Sequence, residues 1–182
     1  ATLVRAEAYR DRLDGGRGVL AIATRKAVRA MFEDAGHDFE GKTEGAVSEF
    51  MRATELHGAR WLWFGPASLG RNDWASFGTA VVIGREELPV AVLEDQARAL
   101  FGDTGAPLEL VPEGENLPDT EVPFTMADGS AWGVRARAHP DPRVRAVQMQ
   151  TRELATRQAV ERLRLANATD RKRVVIAGKV PI

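Results

Sequence analysis

The sequence predicts an α/β domain with a largely parallel sheet, and three observations carry that prediction. Short apolar runs, Val19-Leu20-Ala21-Ile22-Ala23, Thr79-Ala80-Val81-Val82-Ile83 and Arg173-Val174-Val175-Ile176-Ala177, read as strands buried on both faces. Helix-like stretches, most of them without Gly or Pro, separate these runs. Their alternation is the pattern of strand–helix–strand units.

In chain order, residues 1–13 are expected to be helical, with Leu3, Tyr9 and Leu13 among charged positions, and Asp14-Gly15-Gly16-Arg17-Gly18 breaks the pattern as a loop. After the first strand, Thr24 is placed to cap a helix carrying Val28, Met31 and Phe32 on one side and ending near Gly36. A second helix is expected over 44–56, closed by His57-Gly58, and Trp61-Leu62-Trp63-Phe64 reads as a strand. Leu88-Pro89 opens a helix with Val92, Leu93, Ala97 and Leu100, ending at Gly102. Residues 103–133 are rich in Pro and Gly and read as an inserted β-hairpin or irregular excursion that includes Leu108-Glu109-Leu110-Val111; a strand is expected over 131–138. Pro142 sits where a helix starts, and 143–165 continues it without interruption.

Composition narrows the function classes. The chain has 182 residues, 25 Lys+Arg against 26 Asp+Glu, and no cysteine. That length suits one domain, 1–182, with 103–133 as its insertion. Zero cysteine excludes a disulfide scaffold, a thiolate zinc site, an iron–sulfur cluster and a cysteine nucleophile. His37, His57 and His139 are too scattered to suggest a metal site. No apolar run approaches the roughly 20 residues of a membrane span, so a soluble, cytoplasmic protein without membrane contacts is expected. The chain begins at Ala1 rather than Met, as a processed or trimmed chain or a segment of a longer protein would, and a segment is the expectation.

Three segments could carry chemistry. Residues 36–43, Gly36-His37-Asp38-Phe39-Glu40-Gly41-Lys42-Thr43, fit the phosphate-loop pattern G-x-x-x-x-G-K-[ST] letter for letter. A working loop of this kind follows a strand, whereas here a helix precedes it, and Asp38 and Glu40 put carboxylates beside the phosphate cradle; a polar helix–helix connection is the expectation. The segment 64–78 joins two buried strands without an obvious helix and offers Gly70, Arg71, Asn72 and Asp73 where a strand's carboxyl end should lie. In the helix 143–165, spacing at 100° per residue groups Val144, Val147, Thr151, Leu154, Ala155 and Leu165 as a core stripe. Gln158 and Arg162 fall inside that arc, so the guanidinium needs either a structural carboxylate or an arriving anion.

Taken in order, these segments resemble a known family. Val19-Leu20-Ala21-Ile22-Ala23-Thr24-Arg25-Lys26 resembles the strand and turn that open the second RecA-like lobe of superfamily-two helicases. Phe64-Gly65 through Leu69-Gly70-Arg71-Asn72-Asp73-Trp74, followed by the strand at 79–83, is similar to that lobe's fifth motif. Gln158-Ala159-Val160-Glu161-Arg162-Leu163-Arg164 is similar to the sixth, Q-x-x-G-R-x-x-R, although Glu161 replaces its glycine and the second arginine comes one position early. Ala138-His139-Pro140-Asp141-Pro142-Arg143-Val144 resembles the helicase-like part of large primase–helicase proteins of phages and mobile elements. The resemblance implies a RecA-like three-layer lobe that supplies an arginine finger from Arg162, aided by Gln158, with nucleotide or nucleic-acid contacts from Gly70, Arg71, Asn72 and Arg164. It implies ATP and Mg²⁺ bound mainly by a first lobe preceding this chain, and DNA as the nucleic acid. It also implies no turnover by the isolated chain.

Two alternatives stay open on the residues alone: a stand-alone nucleotide-binding protein using 36–43, and a non-catalytic α/β interaction module. The balanced net charge does not dismiss nucleic acid, because it is unevenly distributed. Residues 85–129 hold 2 basic and 11 acidic side chains, whereas 135–173 hold 11 basic and 4 acidic.

Overall fold

The computed structural model describes residues 1–65, 74–126 and 128–178. Their elements are α1 (Thr2–Leu13), β1 (Val19–Ala23), α2 (Arg25–Asp34), α3 (Glu44–Ala53), β2 (Glu55–Leu56), β3 (Ala59–Trp63), β4 (Thr79–Ile83), α4 (Val90–Phe101), β5 (Asp119–Thr125), β6 (Ala131–Arg137), α5 (Pro142–Glu161) and β7 (Arg173–Ala177). Two units divide them: Ala1–Arg85 with Arg157–Gly178, and Glu86–Thr156.

The first unit is an α/β structure around a five-stranded, mostly parallel mixed sheet in the order β2-β3-β1-β4-β7. β1 pairs in parallel with β3 and β4, β4 in parallel with β7, and only β2 runs antiparallel, against β3. The apolar runs of β1 and β4 become strands because both faces of the sheet are covered there, and all five residues of β1 are buried. β7, expected to be buried on both faces, is the outermost strand, with Arg173 exposed and its other residues half-buried. Val19, Ala21, Ala23, Trp61, Trp63 and Val81 share one core cluster with Val4 and Ala8 of α1, Val28 and Phe32 of α2, and Val47 and Met51 of α3. Leu20, Ile22, Leu62, Ala80 and Val82, alternate to these, are buried as well.

The helix starts follow from local chemistry. Thr24, extended at φ −67° and ψ 148°, accepts the Ala27 N–H on its hydroxyl, and Thr43 does the same for Ala46 at the start of α3. α1 forms where a helix was expected; its inward face is Val4, Glu7, Ala8 and Asp11, and Leu3, Tyr9 and Leu13 are exposed. α3 ends at Ala53, three residues early, because Glu55-Leu56 turns back onto Ala59-Arg60 as a hairpin. His57 and Gly58 form its turn at φ +58° and +78°, the paired left-handed conformation of a tight hairpin.

The second unit has α4, the β5–β6 hairpin and most of α5. A hairpin forms at 119–137, pairing the end of the segment expected as an insertion with the strand expected over 131–138, but Leu108-Glu109-Leu110-Val111 is no strand. Its amides go to carboxylates instead: Glu109 N–H to Asp141 Oδ2 at 3.0 Å and Val111 N–H to Glu94 Oε1 at 2.8 Å. α5 stops at Glu161 rather than near 165, and Arg164 takes a left-handed conformation at φ +53°. The inward stripe expected on α5 is corrected too. Leu154 is exposed, whereas Gln148, Arg152, Glu153 and Thr156 are buried beside Val144 and Val147. Polar side chains fill the inward face, so apolar periodicity misplaced it.

Candidate functional site

In an open parallel sheet a ligand crevice forms beyond the carboxyl ends of the strands, where successive connections leave in opposite directions. β1 is that point here. The chain passes from β1 to β3 on one side and then to β4 on the other. At this edge α2 begins with Thr24-Arg25-Lys26 and has no acidic residue in its first turn. Like charges at a helix N-terminus oppose the macrodipole, so this end favours an anion. Arg25 is already engaged, donating to the Glu44 carboxylate and to Ser48 Oγ at 3.0 Å, with its guanidinium 6.0 Å from the Trp63 ring centroid. β4 leaves this edge through Gly84, at φ +72°, whose N–H donates to the Ala177 carbonyl at 2.8 Å.

The segment leaving β3 starts at this edge with Phe64 and Gly65, the latter at φ +120°. Gly70, Arg71 and Asn72 of the expected site lie outside the described residues. Gln158, in the last turn of α5, is exposed and not on the inward face expected for it; Ala159, Val160 and Leu163 are the buried residues there. Arg162 follows the helix end and is half-buried, and burial lowers its pKa from the ordinary arginine value. Arg164 is exposed. All three belong to the unit that holds the five-stranded sheet.

Residues 36–43 form the helix–helix connection expected of them, between α2 and α3. Lys42 Nζ donates to the Asp38 carbonyl at 2.8 Å and lies 5.6 Å from the Phe39 ring and 5.9 Å from Phe50. Asp38 Oδ1 accepts the Glu40 N–H at 2.9 Å, and the Thr43 hydroxyl caps α3. Lysine, hydroxyl and one loop amide are thus committed within the connection, and Phe39 anchors it in the core at 3% exposure. This geometry does not fit a nucleotide phosphate cradle.

At the opposite, amino edge of the sheet lies a cavity of about 520 Å³ between α1, the starts of β4 and β7 and the segment before β7. Its walls carry Arg10, Arg17, Arg171, Lys172 and Arg173 against Asp11 and Asp14. Arg173 pairs with Glu7, Nε to Oε2 at 2.6 Å, and this hydrogen bond holds the Glu7 carboxyl below its usual range. Asp11 Oδ2 accepts the Gly18 N–H at 2.8 Å. The sequence reading missed this site because its residues come from both ends of the chain.

In the second unit Asp141 caps α5, accepting the Arg143 N–H at 2.8 Å, and its carboxylate also takes the Arg143 guanidinium. That guanidinium, together with the Arg143 and Glu109 amides, holds Asp141 far below the usual carboxylate range. Arg143 further donates to the Ala106 and Pro107 carbonyls, tying down the irregular segment. His139, fully buried, faces Glu94 Oε1 with Nε2 at 3.2 Å, while Nδ1 accepts the Asp141 N–H. A His–Glu pair suits proton transfer, but neither residue lines the amino-edge cavity, and Glu94 Oε1 also accepts the Val111 N–H, which ties the irregular segment to α4.

Among the described residues no group of three or more metal-ligating side chains comes together, and no helix is long and apolar enough to cross a membrane. The chain matches no family model, no curated protein and no solved structure.

Proposed function

We propose that this chain is the second, RecA-like motor lobe of a nucleic-acid-dependent ATPase of the helicase type. The observation that carries the reading is the order reversal at β1, with the segment after β3 leaving the same carboxyl edge at which the basic start of α2 lies. In this reading Arg71 and Asn72, with the backbone at Gly70, contact the nucleic-acid strand. Arg162 supplies a guanidinium to charge developing on a nucleotide held by another lobe, with Gln158 and Arg164 beside it. The half-buried position of Arg162 supports that role, since a desolvated guanidinium attracts an anion more strongly than one in water. Residues 36–43 are spent on their own turn, so in this reading ATP and Mg²⁺ are held mainly by the other lobe.

The test uses the chain as it stands. Single-stranded DNA binding, followed by fluorescence anisotropy across a salt series, is expected to weaken with rising salt and to fall in Arg71→Ala. ATP hydrolysis by the chain alone is expected to be absent. Steady hydrolysis abolished by Lys42→Ala would overturn the motor-lobe reading in favour of a phosphate loop.

A further inference from the structure

The cavity at the amino edge of the sheet lies across the strands from the crevice used above, and its charges are not balanced within it. Of its five cations, Arg173 has Glu7, but Arg10 shares that carboxylate at 3.6 Å. Among the described residues Arg17 pairs with the exposed Asp170, at 3.3 Å, and its other arm donates to the Arg171 carbonyl. Lys172, half-buried, donates to two carbonyls, Ala75 at 2.8 Å and Phe77 at 2.6 Å, and has no carboxylate partner among the described residues. The Arg171 guanidinium has no ion-pair partner among them either. Asp11 is one of the two acids in the wall, and one of its oxygens is taken by the Gly18 N–H.

The wall is shaped as well as charged. At Gly78 an added Cβ would sit 3.0 Å from Asp11 Oδ1, 3.1 Å from Arg17 Cβ and 3.2 Å from Arg17 Nε. Only glycine lets Arg17 and Asp11 lie against the backbone there. Lys172 is held in place by its two carbonyls, so this ammonium is positioned before any ligand arrives. Cations crowded around one space repel each other, and an anion entering that space relieves the repulsion. A monovalent carboxylate answers one or two of these donors. A phosphate group offers more charge and several acceptor oxygens, and guanidinium forks match it in pairs.

We propose that the amino-edge cavity binds a phosphate group, contacted by Arg10, Arg17, Arg171 and Lys172. The inference stands on this cavity and does not require the motor-lobe reading. The phosphate can belong to a small polyphosphate or to the backbone of a nucleic-acid strand, and the two sources are separable.

Inorganic pyrophosphate is titrated by calorimetry, and a labelled oligothymidylate by anisotropy over a salt series. Both are run on the protein and on Arg10→Glu, Arg171→Glu and Arg12→Glu. Arg10, Arg12 and Arg171 are exposed, so the fold should survive each reversal, and far-UV circular dichroism checks this. Arg12, on α1 but outside the cavity wall, is the control. Reversal at Arg10 or Arg171 is expected to weaken binding about tenfold and to lower the salt slope by about 1, with Arg12→Glu close to the parent. Pyrophosphate that binds and displaces the oligonucleotide identifies a discrete phosphate site; oligonucleotide binding alone identifies a strand. Failure of both probes to bind near physiological salt, or equal affinity for Arg171→Glu and Arg12→Glu, would overturn the proposal.

Discussion

Replacing Arg152 by methionine tests what holds α5 in place. Arg152 is 2% exposed on the inward face of that helix and Glu153 is 8% exposed. The guanidinium donates through Nε to Glu153 Oε1 at 2.7 Å and through Nη1 to the Arg137 carbonyl. Methionine keeps most of the volume but removes the charge, leaving a buried carboxylate whose other oxygen, Oε2, has no partner among the described residues. Breaking a buried pair from one side costs about 3–5 kcal/mol. With a urea slope of about 2 kcal/mol/M, the denaturation midpoint should fall by roughly 2 M, read by far-UV circular dichroism. The Arg137 carbonyl is not orphaned, because Gln148 Nε2 also donates to it at 3.3 Å. The companion change Arg152→Met with Glu153→Met is therefore expected to recover to within about 1 kcal/mol of the parent, since an apolar pair removes both desolvation costs. A single variant within about 1 kcal/mol of the parent, or a double variant no better than the single, would refute the argument.

Two further perturbations read other parts of the structure. A Cβ at Gly58 would meet Ala8 Cβ at 2.7 Å and sit at φ +78°, so Gly58→Ala is expected to destabilise the protein by about 1–3 kcal/mol, measured by thermal melting. Ala8→Gly, made together with it, should restore part of the loss. The Glu7 carboxyl is held below the ordinary glutamate range by its hydrogen bond to Arg173, so it contributes stability above that range. That contribution is lost as pH falls through the lower folded value. Glu7→Gln should accordingly flatten the acid side of a stability-versus-pH curve, and an unchanged acid limb would count against the pair.

Buried strands were the most legible part of the chain. β1 and β4 are continuous apolar runs because both sheet faces are covered there, and that burial is written directly into composition, whereas β7 at the end of the sheet is only half-buried. The Thr24 cap was legible for a local reason, since one hydroxyl and one amide three residues on decide it. The inward face of α5 was not, because Gln148, Arg152 and Thr156, four residues apart and stacked, are polar side chains satisfied only by partners such as the Arg137 carbonyl. His57-Gly58 reads equally as a helix stop or a hairpin turn, and only the return of Ala59 and Arg60 onto Leu56 and Glu55 decides between them. The amino-edge cavity is assembled from residues 10–17, 78–79 and 171–174, which no local pattern connects.

The last strand of the sheet is also the last to be synthesised. β7 and β4 are neighbours from Thr79↔Arg173 to Ile83↔Ala177, yet Glu86–Thr156 lies between them in the chain. A growing chain thus presents β4, an apolar strand, with one flank unpaired until the second unit is complete. At typical synthesis rates that flank stays open for roughly 5–20 s. Entropy is a minor part of the delay, since doubling an intervening loop costs only about 0.6 kcal/mol. The greater hazard is another chain reaching the open flank first. Any shortened version of this protein has to retain its terminal strand, however dispensable the segment before it proves to be.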